Sequence, residues 1–272
     1  MYIGQKYFDF SGATPFVMGI LNITPDSFSD GGRYNSVDAA VEHALAMVQD
    51  GCDIIDIGAE STRPGHTQIS TDEECSRLVP VLQALKNATD IPLSVDTYRG
   101  TTAREAIANG ADMINDIWGL LDEDPVAPVV RDANCPICIM HNRHDNNYSD
   151  FVREWLRDLL DRVDRALVCG IPKEHIILDP GIGFAKSFDW DILAMQHLDT
   201  LAALGYPVLL GLSRKRMIGT LSGLPLAERD EPTAAANIYG YLKGARIFRV
   251  HNVALARRTL DTFAQLEVQN HG

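Results

Sequence analysis

Residues 16–32 read FVMGILNITPDSFSDGG, and the stretch changes character at Asn22. From Phe16 to Leu21 there is no polar side chain. Such a run suits a strand buried on both faces, as in a parallel sheet. After Asn22 come the turn formers Thr24, Pro25, Asp26, Ser27, Ser29, Asp30, Gly31 and Gly32, and a helical pattern resumes near Val37. The strand therefore delivers a neutral oxygen ligand, Asn22, to its C-terminal end beneath a polar loop, which is how α/β barrels build active sites. One Asn at one strand end also fits a simple turn cap. Further polar residues arriving at the same end would mark a site rather than a cap.

Working outward, the same unit recurs. Ahead of the stretch, Tyr2 to Phe10 alternates apolar and polar and ends at Ser11-Gly12, which predicts a short two-stranded ribbon. Behind it, Val37, Val41, Leu45 and Val48 mark a helix to Gln49, closed by Gly51. Strands are then expected at Asp53 to Gly58, Pro92 to Val95, Asp112 to Ile114, Pro136 to Met140, His175 to Leu178, Pro207 to Gly211 and Arg246 to Val250. The helices between them are expected at Asp72 to Lys86, Gly100 to Ala108, within Asp124 to Asp132, Ser149 to Val168, Trp190 to Leu204, Pro232 to Leu242 and Ala254 to Leu266. Eight strand-helix units in 272 residues predict a (β/α)₈ TIM barrel with a short N-terminal β-ribbon, forming one domain over residues 1–272. An open doubly wound sheet would carry a G-x-G-x-x-G turn after its first strand, and this chain does not.

Composition narrows the function classes. A formal net charge of −13 disfavours general nucleic-acid binding, which needs Lys and Arg against phosphate. No signal peptide or apolar run of membrane length is visible, so no membrane association and a cytoplasmic location are expected. The five cysteines, Cys52, Cys75, Cys135, Cys138 and Cys169, are an odd set with no second pair to complete a zinc site around Cys135-x-x-Cys138. Within a strand-like run an offset of three points to opposite faces, so this pair reads as buried inert thiols. His141 and His144, in the polar loop NRHDNNY and just before it, lack a third ligand and read as solvated loop residues rather than a metal site.

The predicted strand ends now form a set: Asn22, Asp96, Asn115, Asp179, Ser213 with Lys215, and Arg249 with His251. A second polar loop, GAESTRPGHTQ, brings Thr62, Arg63 and Pro64. Helix capping would not require this mixture of Asp, Asn, Lys, Arg and His. Arg63, Arg249, His251 and Thr62 suit a phosphate or diphosphate held by charge-assisted hydrogen bonds. Asn22 suits one oxygen ligand of Mg²⁺, which usually takes few protein ligands plus substrate phosphates. Asp96, Asn115 and Asp179 offer acceptors and an amide to an amino-heterocycle, and Lys215 offers a donor. These residues describe a barrel enzyme with an anion site beside a polar slot for a flat heterocycle.

The motifs also resemble a known family. MGILNITPDSFSDGG at 18–32, GAESTRPG at 58–65, SVDTYR at 94–99, NDI at 115–117, LDPGIGF at 178–184, SRKRMIG at 213–219 and RVHNV at 249–253 are similar, in order, to those of the dihydropteroate synthases. The resemblance implies a transferase of folate biosynthesis. It would join 4-aminobenzoate to 6-hydroxymethyl-7,8-dihydropterin diphosphate and release diphosphate. It implies a pterin site of Asp96, Asn115, Asp179 and Lys215, with Met140 and Phe184 packing on the ring. It implies a diphosphate and Mg²⁺ site of Asn22, Thr62, Arg63, Arg249 and His251. The 4-aminobenzoate pocket would use Phe28, Thr62, Pro64, Phe184, Ser213 and Lys215. Asp30 would order the closed loops, making Lys215, Asp30 and Arg63 the catalytic set. A homodimer follows from the resemblance alone.

A pterin-binding methyltransferase domain shares the barrel and the Asp and Asn slot, but it has no need of Thr62, Arg63, Arg249 and His251. A non-catalytic paralogue should have lost loop residues or Lys215, and none is missing. The polar loops bearing Phe28 and Pro64 are expected to order on Mg²⁺-diphosphate before 4-aminobenzoate binds.

Overall fold

The computed structural model describes residues 1–24, 33–60 and 68–269. In it, β1 (Tyr2–Ile3) and β2 (Lys6–Tyr7) form the antiparallel N-terminal ribbon. The other strands are β3 (Phe16–Asn22), β4 (Ile54–Gly58), β5 (Leu93–Asp96), β6 (Met113–Asp116), β7 (Ile137–Met140), β8 (Ile176–Asp179), β9 (Leu209–Leu210) and β10 (Ile247–Val250). They lie in the order β8-β7-β6-β5-β4-β3-β10-β9, parallel throughout. A parallel bridge between Leu178 and Val208, with the Leu178 N–H donating to the Pro207 carbonyl at 2.9 Å, joins β8 to β9 and closes the ring. The helices are α1 (Arg33–Gln49), α2 (Thr71–Ala88), α3 (Gly100–Ala108), α4 (Val126–Ala133), α5 (Phe151–Cys169), α6 (Phe188–Gln196), α7 (Leu198–Ala202), α8 (Arg216–Ser222), α9 (Asp230–Leu242) and α10 (Val253–Gln269). The expected TIM barrel with its ribbon is thus observed.

Strand alternation divides the core in two. Outward residues such as Val17, Leu21, Ile55, Ile57, Val95, Ile114 and Ile139 meet the helices in one large cluster. Inward residues near the strand starts, Phe16, Met18, Ile54, Met113, Cys138, Ile177, Leu209 and Ile247, fill the barrel axis, with Ile3 and Phe8 packed beneath them. The ribbon therefore plugs the N-terminal end, and the polar inward residues are left for the other end. Gly19 faces outward where helices close on β3: a Cβ there would lie 2.7 Å from Met47 Sδ. Cys135 lies in the outer cluster and Cys138 in the inner one, as the offset of three requires. Burial pushes the Cys52 and Cys135 thiols up to about 12, so they are inert near neutrality.

Caps agree with the local sequence. Ser70, Asp150 and Ser187 accept from the backbone N–H groups of Glu73, Arg153 and Trp190 at the starts of α2, α5 and α6. Two elements differ from expectation. The helix expected over Trp190 to Leu204 breaks at His197, whose φ of −102° and ψ of 18° re-aim Leu198 and Leu201 into the core. The segment after Ser213, read as a longer loop, contains α8. That helix has only seven residues, with Gly219 inside it and Gly223 ending it in the left-handed region, too short for a periodic signal.

Candidate active site

The apolar plug ends one layer below the C-terminal strand ends, and polar side chains take over the axis. Strand register pairs Asn22 with Gly58, Gly58 with Asp96, Asp96 with Asn115, and Met140 with Asp179. These residues are brought to one mouth with Lys215, Ser213, Arg249 and His251. Two glycines keep the centre open. A Cβ on Gly58 would lie 3.6 Å from Asn22 Oδ1 and 3.7 Å from Asp96 Cβ, and one on Gly211 would lie 3.4 Å from Asp179 Oδ2.

The charges beneath this opening are linked. Arg249 donates from Nε to Asp56 Oδ2 at 2.6 Å and from Nη2 to Asp96 Oδ2 at 2.9 Å. Asn115 Nδ2 donates to the same Asp56 oxygen at 3.1 Å. Asp179 Oδ1 accepts from the Gly181 N–H at 2.6 Å. Lys215 Nζ donates to the Ile182 carbonyl at 2.6 Å and sits 4.6 Å from the centre of the Phe184 ring. Burial pushes the Asp96 carboxyl up against the pull of Arg249, because one guanidinium is shared between two carboxylates. Burial also raises Asp179, opposed chiefly by Lys215. Loss of hydration lowers the Lys215 ammonium to about 8, opposed chiefly by Asp179. Three carboxylates facing two cations suit a ligand that presents several N–H donors.

Apolar surface flanks the slot. Met140, Tyr98 and Ile117 form a buried cluster with Trp118 and Phe184 packed against it, so the expected Met140 and Phe184 pair does come together. On the other side Ser213 Oγ lies 3.0 Å from His251 Nδ1 and accepts from the His251 backbone N–H at 3.2 Å. Arg99, from the SVDTYR motif, donates from Nη1 to Glu60 at 2.7 Å and from Nη2 to the Ile69 carbonyl at 3.1 Å. It thereby ties both stems of the segment that carries Thr62, Arg63 and Pro64. Those three residues, and Phe28 and Asp30, lie outside the described residues.

Two groups escaped the sequence reading, and one was misread. Asp56 was counted as part of a strand, although a charge inside DIIDIG was a signal that something must meet it. Lys186, in the loop after LDPGIGF, is buried and donates to the Gly181 carbonyl at 2.9 Å, the Phe184 carbonyl at 3.1 Å and His141 Nδ1 at 2.9 Å. It thus braces the turn that presents Ile182 to Lys215. His141 is not a solvated loop residue: it is fully buried, and its Nε2 lies 3.2 Å from Asp158 Oδ2. Burial, with the neighbouring Lys186 ammonium, lowers its pKa to about 3, so it is neutral and donates its Nε2–H to the Asp158 carboxylate. His144 is exposed and stacks on Trp118.

Residues 18–251 match the model of the family described as pterin binding enzyme. The dihydropteroate synthase of Bacillus subtilis is 50% identical over 259 residues, covering 94% of this chain and 91% of that protein. A crystal structure of dihydropteroate synthase from Clostridium difficile in the presence of pteroic acid superposes with a TM-score of 0.93 at 43% identity, over 96% of this chain and 99% of that one. The Xanthomonas albilineans dihydropteroate synthase with 4-aminobenzoic acid gives a TM-score of 0.90 at 42% identity, over 93% of each chain. With matches of this length and identity to proteins whose motifs, barrel and strand-end residues it shares, the chain belongs to the dihydropteroate synthases, within the pterin binding enzyme family.

Proposed function

We propose how the residues of this mouth divide the work of the dihydropteroate synthase reaction. The chain is a transferase of folate biosynthesis, joining 6-hydroxymethyl-7,8-dihydropterin diphosphate to 4-aminobenzoate. The C–O bond to diphosphate breaks, a C–N bond to the aromatic amine forms, and the amine releases one proton. The observation that carries the assignment is the convergence of Asp96, Asn115, Asp179 and Lys215 around the space left open by Gly211.

In this reading Asp179 and Asp96 accept N–H bonds from the pterin, Asn115 meets a mixed edge, and Lys215 donates to ring acceptors. Met140 and Phe184 cover the ring faces. The electron-rich pterin supports positive charge at its methylene as diphosphate departs, and the carboxylates below it favour that charge. Arg63, Thr62, Arg249 and His251 stabilise the leaving diphosphate, and loops bearing Phe28, Asp30 and Pro64 exclude water that would trap the cation. Ser213, with Lys215 and Pro64, receives 4-aminobenzoate. Since the attacking amine is neutral and loses its proton late, Lys215 need not be a base.

The donor set fits Mg²⁺. Asn22 supplies one neutral oxygen at the strand end, and a small hard cation held mainly by diphosphate oxygens needs little more from protein. Among the described residues no group of three His, Cys, Asp or Glu is placed to hold a metal by itself. When bound, the ion would neutralise charge on the diphosphate. We further propose a homodimer, checked by light scattering at micromolar concentration, and a cytoplasmic location. No helix among the described residues is long and apolar enough to cross a membrane. Diphosphate release, measured with each substrate omitted in turn, tests the reaction: release that does not require 4-aminobenzoate would overturn it.

A further inference from the structure

Asp56 sits on β4 one inward position below Gly58, fully buried, paired in register with Ile20 of β3 and Ser94 of β5. A buried carboxylate costs several kcal/mol of lost hydration, and the barrel needs none here, since the neighbouring Ile20 is apolar. What meets it is specific. Asp56 Oδ2 accepts from Arg249 Nε at 2.6 Å and from Asn115 Nδ2 at 3.1 Å, drawing on β10 and β6. Among the described residues its Oδ1 has no partner, nor have Ser94 Oγ and Asp96 Oδ1, all buried in the same floor.

We propose that Asp56 is a positioning residue for the pterin slot, fixing which edge Asn115 shows to the ligand and where Arg249 points. The proposal rests on the assignment of Asn115 to the slot. An ionised carboxylate only accepts hydrogen bonds, whereas an amide can turn either end to a neutral partner. Facing Asp56, Asn115 must turn its NH₂ downward, one N–H on Asp56, which presents its Oδ1 to a ligand N–H and leaves its second N–H for an acceptor beside it. Arg249 spends Nε and Nη2 on Asp56 and Asp96, which leaves Nη1 for an anion. The preference for a pterin donor at Asn115 is thus written by a residue that the ligand does not touch. An Asn at position 56 can donate as well as accept, so Asn115 is released to flip.

The test compares Asp56→Asn with the wild type and Asn115→Ala, in steady-state kinetics and in binding of two pterin analogues. The analogues present a donor and an acceptor, respectively, at the edge facing Asn115. For Asp56→Asn we expect KM for the pterin diphosphate to rise at least tenfold with KM for 4-aminobenzoate unchanged. We also expect the preference for the donor analogue to fall at least fivefold. Both readouts are independent of the active fraction, so a purely structural role would move neither. Should Asp56→Asn fail to fold, Asp56→Ser, smaller and still polar, carries the same comparison. Unchanged KM and unchanged preference in the folded variant, with Asn115→Ala impaired, would overturn the proposal alone. Unchanged pterin affinity in Asn115→Ala would overturn the slot assignment and this proposal with it.

Discussion

Replacing Lys215 with Ala should weaken pterin binding in a way that raising the pH repairs. Burial already holds the Asp179 carboxyl above its usual range, and Lys215 is the chief influence holding it down. Removing an opposite charge of this kind raises a carboxyl by roughly 1–3 pKa units. Each unit corresponds to about 1.4 kcal/mol. Asp179 then takes up a proton more readily than in the wild type. Exchanging a charged acceptor for a neutral acid costs about 1.5–3 kcal/mol of binding, or roughly 10- to 150-fold in affinity. A raised carboxyl pKa means that affinity returns as pH climbs through it. Calorimetric titration of a pterin analogue at rising pH should show the variant recovering later than the wild type. The analogue's own ionisation is common to both proteins. The wild type should instead lose turnover above pH 8, where the Lys215 ammonium, held at about 8, deprotonates. A deficit in the variant that stays constant across the pH range would refute the electrostatic link to Asp179.

Stability should fall with acid through His141. Its folded pKa of about 3 lies below the unfolded value of 6.5, so stability from this group is full above 6.5 and is lost as pH drops towards 3. The slope is at most about 1.4 kcal/mol per pH unit, and urea melts of His141→Gln should show a shallower slope; parallel slopes would contradict this. At Gly211 an added Cβ makes an ordinary contact 3.4 Å from Asp179 Oδ2. Gly211→Ala should therefore bind pterin near normally while Gly211→Val loses it with an unchanged melt, and equal calorimetric affinity would show that the slot lies elsewhere. Gly181 has φ +70° and would place a Cβ 1.9 Å from the His141 carbonyl oxygen. Gly181→Ala should cost about 3 kcal/mol or more, roughly 6–12 °C in Tm by scanning calorimetry; a shift under 2 °C would mean the turn relaxes freely.

The barrel was legible because most positions of a parallel strand buried on both faces are apolar, Asp56 and Ser94 being exceptions in the floor of the site. The apolar runs that end on Asn22, Asp96, Asn115 and Asp179 therefore announced both the strands and the mouth. Period and turn chemistry are local, so short elements such as α8 and the break at His197 gave no signal of their own.

What the chain determined by itself was the alternation, the ribbon, the barrel and the residue types that reach its C-terminal end, together with motifs that pointed to the reaction. What only the tertiary structure decided was how those residues are paired. Arg249 reads in sequence as a cation for diphosphate, yet it is clamped by Asp56 and Asp96, 193 and 153 residues away along the chain. His141 reads as a loop histidine, yet closure of the barrel buries it between Lys186 and Asp158. Charge type is a property of one residue. Hydration, protonation and hydrogen-bond direction belong to what the ring of strands brings within about 3 Å, and no spacing along the chain encodes that.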